Sequence, residues 1–175
     1  MRKSKDSHGE WIRRKDTRLD NRDYSENGIY FVTVCVKDKH RILWDKHSCF
    51  FDELTTPETP IFYSECGTAV KKAILNIENV YPAVKVDVFS IMPDHLHILL
   101  IFKNGTDIQG RAVRAPTLSN LINQFKGAVT KDLGYSIWQK LFYDRIIRNK
   151  AEYTACVKYI RNNPYEYRKK YFAKF

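Results

Sequence analysis

Two strand-like runs joined by a proline turn constrain this chain more than any other feature. Val84, Val86 and Val88 alternate with Lys85 and Asp87, the period of a half-buried strand, and His95 to Phe102 is a second run of strand formers. Pro93-Asp94 between them is a turn, so residues 83–102 read as a hairpin. A hairpin commits its sheet to antiparallel pairing.

The rest of the chain supplies what such a sheet needs. After Asn27-Gly28, the β-branched and aromatic run Ile29 to Val36 predicts a buried strand. From Glu65 to Val80, the residues Ala69, Val70, Ala73, Ile74, Ile77 and Val80 recur at helical spacing until Tyr81-Pro82. A second helix carries the stripe Leu118, Leu121, Ile122, Phe125, Val129 and Leu133. Trp138 to Ile147 predicts a short strand, and a last helix covers roughly Lys150 to Asn163, stopped by Pro164. Residues 37–64 carry mixed signals, and Lys103 to Pro116 reads as loop. The order β, α, β, β, α, β, α predicts an α+β fold: a ferredoxin-like antiparallel sheet with helices packed on one face. With 175 residues, one domain is expected, at 28–165, between a basic N-terminal arm (1–27) and a short basic tail (166–175).

The net charge of +10 is concentrated. Residues 1–22 hold 8 basic against 4 acidic side chains, residues 144–175 hold 9 against 3, and the middle is balanced at 13 against 13. Two basic ends on a neutral body point to a polyanion, with nucleic acid the first expectation. The longest apolar run, Ile98 to Phe102, is far short of the roughly 18 residues that cross a membrane, so no membrane role is expected. The basic N-terminus has no apolar h-region, which predicts a cytoplasmic protein. Cys35, Cys49, Cys66 and Cys156 form no CxxC pair and read as reduced thiols.

His95-Leu96-His97 is the triplet that can do chemistry. On a strand, side chains at i and i+2 leave the same face about 6.6 Å apart, so two imidazoles can converge on one ion. A solvated pair is the ordinary alternative, but this face also carries Leu99 and Ile101, where unpartnered imidazoles are costly. Two histidines do not close a structural zinc site, so a further ligand must come from elsewhere. On the last helix, Tyr153, Cys156, Val157 and Ile160 make a buried stripe. Tyr159 then lies about 110° and Asn163 about 70° from its centre on the same side, neighbours at the edge of the packed face. With 11 tyrosines present, helix position alone singles out none.

At these residues a resemblance becomes visible. Arg13-Arg14-Lys15, Asp23-Tyr24-Ser25, Tyr30-Phe31-Val32-Thr33, Met92-Pro93-Asp94-His95-Leu96-His97, Gln124-Phe125-Lys126, Trp138-Gln139, Ile146-Ile147-Arg148-Asn149 and Tyr159-Ile160-Arg161-Asn162-Asn163-Pro164 follow one another in order. This series resembles the REP-associated tyrosine transposases, single-tyrosine members of the HUH superfamily. The resemblance implies a ferredoxin-like fold, His95 and His97 as metal ligands, Tyr159 as nucleophile and Asn163 completing the metal site. Family members often carry a histidine where this chain has Arg145, and an arginine there suits phosphate contact.

The implied activity is cleavage and rejoining of single-stranded DNA at hairpin, REP-like sites through a 5′-phosphotyrosine. A divalent cation, Mg²⁺ or Mn²⁺, would polarise the scissile phosphate, with imidazole and amide ligands favouring Mn²⁺. Lys126, Arg148 and Lys158 join Arg145 as expected phosphate contacts. The expected partner is a single-stranded DNA hairpin, with a homodimer left open. A histidine-triad hydrolase would need a further histidine where Leu99 stands, and two-histidine phosphodiesterases need two HxT or HxS motifs that are absent. The remaining alternative is a non-catalytic single-stranded nucleic-acid-binding module stacking bases on Tyr30 and Phe31.

Overall fold

In a computed structural model that describes residues 27–106 and 112–173, the run after Asn27-Gly28 forms strand β1 (Gly28–Cys35). The Arg13-Arg14-Lys15 and Asp23-Tyr24-Ser25 motifs, with almost all of the basic arm, lie outside the described residues. Helix α1 (Glu65–Leu75) starts at Ser64, whose hydroxyl accepts from the Gly67 backbone N–H. Gly67 is required there, because a Cβ on it would stand 2.0 Å from the Leu43 carbonyl oxygen. The helix expected to run to residue 80 breaks at Asn76, a residue that favours caps over helix interiors, and resumes as the single turn α2 (Ile77–Val80).

Strands β2 (Val84–Ile91) and β3 (His95–Phe102) form the expected hairpin. One feature of β2 differs from strict alternation: a bulge between Val86 and Val88 moves Val88 to the opposite face, where it meets Leu99, while Val86 pairs with Leu100. The following loop contains a minimal ribbon, β4 (Gly105–Thr106) with β5 (Ala112–Val113). Helix α3 (Leu118–Leu133) is capped by Thr117 and closed by Gly134 in the left-handed region at φ 81°. Strand β6 (Tyr143–Ile147) is shorter than expected, because Trp138 makes only an isolated bridge to Val36.

The sheet order is β2-β3-β1-β6, antiparallel throughout. Alternation divides its two faces. Tyr30, Val32 and Val34 of β1 with Leu96, Ile98 and Leu100 of β3 are buried under α1 and α3 in the main core. Helix α4 (Lys150–Phe172) covers the other face, where Cys156 and Ile160 pack with Leu99 and Ile147. The α+β class and the antiparallel sheet agree with the sequence reading. The expectation that all helices share one face does not hold, since Phe31, Val88 and Leu99 give the second face an apolar patch of its own.

Nor does α4 stop at Pro164. The proline removes one backbone donor, a cost of about 3 kcal/mol in a helix interior. Packing beyond it outweighs that cost: Tyr167 meets Trp44, Tyr165 meets Phe51, and Arg168 is buried. The Arg168 guanidinium donates to the carbonyls of Ser48, Thr59 and Pro60 at 3.0, 3.2 and 2.8 Å. Residues 166–172 are thus the last turns of α4 and not a separate tail.

Candidate active site

The site lies on the sheet face covered by α4. Odd-numbered residues of β1 and β3 point to this face, and the register places Thr33 opposite His97 and Phe31 opposite Arg145 of β6. Thr33 is therefore brought to His97 by strand pairing and not by nearness in sequence.

Each imidazole is fixed through its Nδ1. His95 Nδ1 lies 2.6 Å from Asp94 Oδ1, and His97 Nδ1 lies 2.8 Å from Thr33 Oγ1. Orienting partners of this kind turn the remaining nitrogens in one direction, and the two Nε2 atoms are 3.1 Å apart. Phe31 stacks on the His97 ring at 5.3 Å between centroids. Burial, and secondarily the charge of His95, pushes the His97 imidazole down to about 3, so it is neutral at ordinary pH. Burial of Asp94 opposes its ionisation, yet the hydrogen bond and charge of His95 hold its carboxyl below the usual carboxylate range.

Tyr159 sits at the helix edge, half exposed, with its Oη 3.4 Å from His97 Nε2. Its ring contacts both His97 and Phe31 edge-on. Asn163, one turn later, lines the same groove as His95, His97 and Tyr159, and its Nδ2 is buried without a hydrogen-bond partner. Which end of that amide faces the groove is interchangeable, so an oxygen can stand where the unpartnered nitrogen is placed.

This donor set suits a divalent cation. In the tautomer that donates Nδ1–H to Asp94 and Thr33, the two Nε2 lone pairs aim at one point, where a cation fits between them. Among the described residues no group of three or more His, Cys, Asp or Glu side chains could hold a metal. At this groove His95, His97 and Asn163 could hold a cation, with fewer protein ligands than a closed structural zinc site uses.

The expected phosphate contacts separate. Arg145 borders a cavity of about 520 Å³ beside Tyr159, together with Phe31, Tyr143 and Cys156, and its guanidinium lies 2.9 Å from Cys156 Sγ. Arg148 and Lys158 are exposed and border neither cavity next to Tyr159. Lys126 corrects the sequence reading: it is buried, and its ammonium donates to the carbonyls of Gln139, Lys140 and Leu141 at 2.8, 3.3 and 3.2 Å. Burial lowers its pKa, and its donors are spent on the segment that leads into β6. The sequence reading also missed Thr33 and Asp94 as imidazole partners. Asp94 stood beside His95 but counted only as a turn residue, and Thr33 becomes visible only through the β1–β3 register.

Known proteins give this geometry a context. Residues 53–163 match the model of the IS200-like transposase family. An uncharacterised protein of Haemophilus influenzae is 30% identical over 168 residues, covering 86% of this chain and 88% of its own length. A second Haemophilus influenzae protein, described as a REP-associated tyrosine transposase, is 24% identical over 151 residues, covering 82% of this chain and 73% of its own. A solved structure of a REP-associated tyrosine transposase bound to a REP hairpin shares the fold, with TM-score 0.55, 23% identity, and coverage of 86% of this chain and 74% of that one. Among the described residues no helix is long and apolar enough to cross a membrane. Because the family match takes in both histidines, Tyr159 and Asn163 together with most of the sheet that holds them, the chain belongs to the IS200-like transposases and is a DNA-cleaving transposase.

Proposed function

We propose that this transposase cleaves and rejoins single-stranded DNA beside a REP-like hairpin, with Tyr159 as nucleophile and a divalent cation held by His95, His97 and Asn163. The observation that carries the reading is the convergence of Tyr159 Oη on His97 Nε2 at 3.4 Å, with His95 Nε2 3.1 Å from the same atom. A phenol, two convergent imidazole Nε2 atoms and a buried amide whose Nδ2 has no hydrogen-bond partner border one groove, which a merely nucleic-acid-binding sheet does not need. The relatives described as REP-associated transposases support a hairpin as partner.

When bound, Mg²⁺ or Mn²⁺ supplies Lewis-acid polarisation of the scissile phosphate and neutralises charge in the transition state. The chain's own residues do the rest. Tyr159 Oη attacks phosphorus, the bond to the 3′ oxygen breaks, and the 5′ phosphate remains on the tyrosine. The phenol proton is lost and the 3′ oxygen takes one up, so the step is balanced; half-exposed Tyr159 can release its proton to solvent. Attack by another 3′-OH reverses the step and joins new ends without external energy. Asp94 and Thr33 keep the imidazoles in the tautomer that presents Nε2, and Phe31 fixes the His97 ring plane. Arg145 beside Tyr159, with exposed Arg148 and Lys158, offers cations to the phosphates.

Residues 28–165 would form the functional domain, with the later turns of α4 as an integral part. Tyr159 reaches a histidine of its own chain, so each copy in a homodimer would carry a complete site. The test is incubation of the full chain with a labelled hairpin oligonucleotide and Mg²⁺ or Mn²⁺, followed by a denaturing gel. A protein–DNA adduct is expected from the wild type and none from Tyr159→Phe. Full cleavage by the phenylalanine variant would remove Tyr159 from its role.

A further inference from the structure

Helix α4 continues past the catalytic groove and takes one face of chemistry with it. Tyr159, Asn163, Tyr167, Lys170 and Tyr171 follow i, i+4, i+8 and i+11/i+12 spacing, and all border one open groove of about 580 Å³. At its far end the Tyr167 and Tyr171 rings lie 4.5 Å apart, and the Arg41 guanidinium sits 5.7 and 4.9 Å from their centroids. Lys170 Nζ is 5.0 Å from the Tyr171 ring, which is 46% exposed. From the opposite wall comes Lys39, in a loop where Asp38 and Lys39 both occupy the left-handed region at φ 53° and 54°. That conformation is uncommon for side chains with a Cβ. The carboxylates on this groove are Glu166 and Asp94, the latter bonded to His95, against the cations Lys39, Arg41 and Lys170.

We propose that this groove is the track for the unpaired nucleotides adjoining the scissile phosphate. Tyr171 is the stacking platform for a base, and Lys39, Arg41 and Lys170 meet the phosphates. Exposed rings alternating with cations fit single strands and not duplex, because only unpaired bases offer a π-face to an aromatic side chain. The excess of cations selects a polyanion, and one groove is bordered by both Tyr159 and Tyr171. This assignment rests on the reading of Tyr159 as the cleavage site. It explains why α4 continues through Pro164: the turns beyond it carry the strand-binding face.

The test compares two oligonucleotides on the full chain by fluorescence anisotropy, the bare hairpin and the same hairpin with an unpaired flank spanning the cleavage position. The wild type is expected to bind the flanked form more tightly. Tyr171→Ala should weaken flanked binding about tenfold and leave the bare hairpin unchanged, with Tyr171→Phe restoring it. Lys170→Gln should lower the salt slope of flanked binding by about one unit and not that of the bare hairpin. Equal loss on both oligonucleotides, or no loss with Tyr171→Ala, overturns the track. A wild type that binds both forms equally overturns the track alone, whereas one that binds neither overturns the hairpin reading and the track with it.

Discussion

Arg168→Met separates a helix anchored at its end from the short basic tail that the sequence predicts at residues 166–175. The wild-type guanidinium is 1% exposed and donates to three backbone carbonyls, those of Ser48, Thr59 and Pro60. Methionine fills most of the stem volume but leaves the carbonyls without a donor. At about 1–3 kcal/mol per orphaned buried acceptor, the fully buried Ser48 bond is worth about 2 and the two part-buried ones about 1 each, or about 4 kcal/mol in all. Releasing the guanidinium from its desolvated position, which already lowers its pKa, returns about 1 kcal/mol. The net loss is about 3 kcal/mol, which for a chain of 175 residues lowers Tm by about 6–12 °C. Scanning calorimetry measures the shift, and amide exchange should show faster opening of residues 165–172. Arg168→Lys, with a point charge in place of a fork, should fall between. A change under about 1 kcal/mol, the ordinary range for a surface side chain, would refute the anchoring and return residues 166–172 to the status of a tail.

Lys126→Met should destabilise the fold by about 2–3 kcal/mol in urea unfolding, since three carbonyls lose their donor, yet leave the salt slope of DNA binding unchanged. Asn163→Ala should leave stability within about 1 kcal/mol of wild type, because Nδ2 makes no hydrogen bond, while cleavage comes to need about tenfold more Mn²⁺. A wild-type metal titration in that variant would dismiss Asn163 as a ligand. His97→Ala should abolish cleavage and leave hairpin affinity within about threefold, as most affinity comes from phosphate contacts elsewhere.

What the sequence made legible follows from short-range patterns. The strand-former runs of β1 and β3, the alternation in β2 and the helical stripes of α1 and α3 are local signals, and the order of elements follows from them. The edge position of Tyr159 and Asn163 also came from counting along one helix. Four features depended on information that no local window contains. The β2 bulge shifts Val88 to the second face, and that apolar patch is what draws α4 across the sheet. Pro164 is a strong stop by itself, and only the carbonyls of residues 48, 59 and 60, more than 100 positions away, supply the acceptors that hold the turns beyond it. Lys126 looks like any helical lysine until the 139–141 backbone folds over it. Thr33 is of the same kind, since its contact with His97 is a product of register.

If Tyr159 carries the DNA, the covalent adduct maps to that residue. The wild-type chain is reacted with a hairpin oligonucleotide bearing its unpaired flank in Mn²⁺, digested with protease and nuclease, and sequenced by tandem mass spectrometry. One modified peptide is expected, with Tyr159 esterified to a 5′-phosphate and the complementary fragment ending in a free 3′-OH. A phosphate on any other of the 11 tyrosines, or DNA attached through its 3′ end, would contradict it.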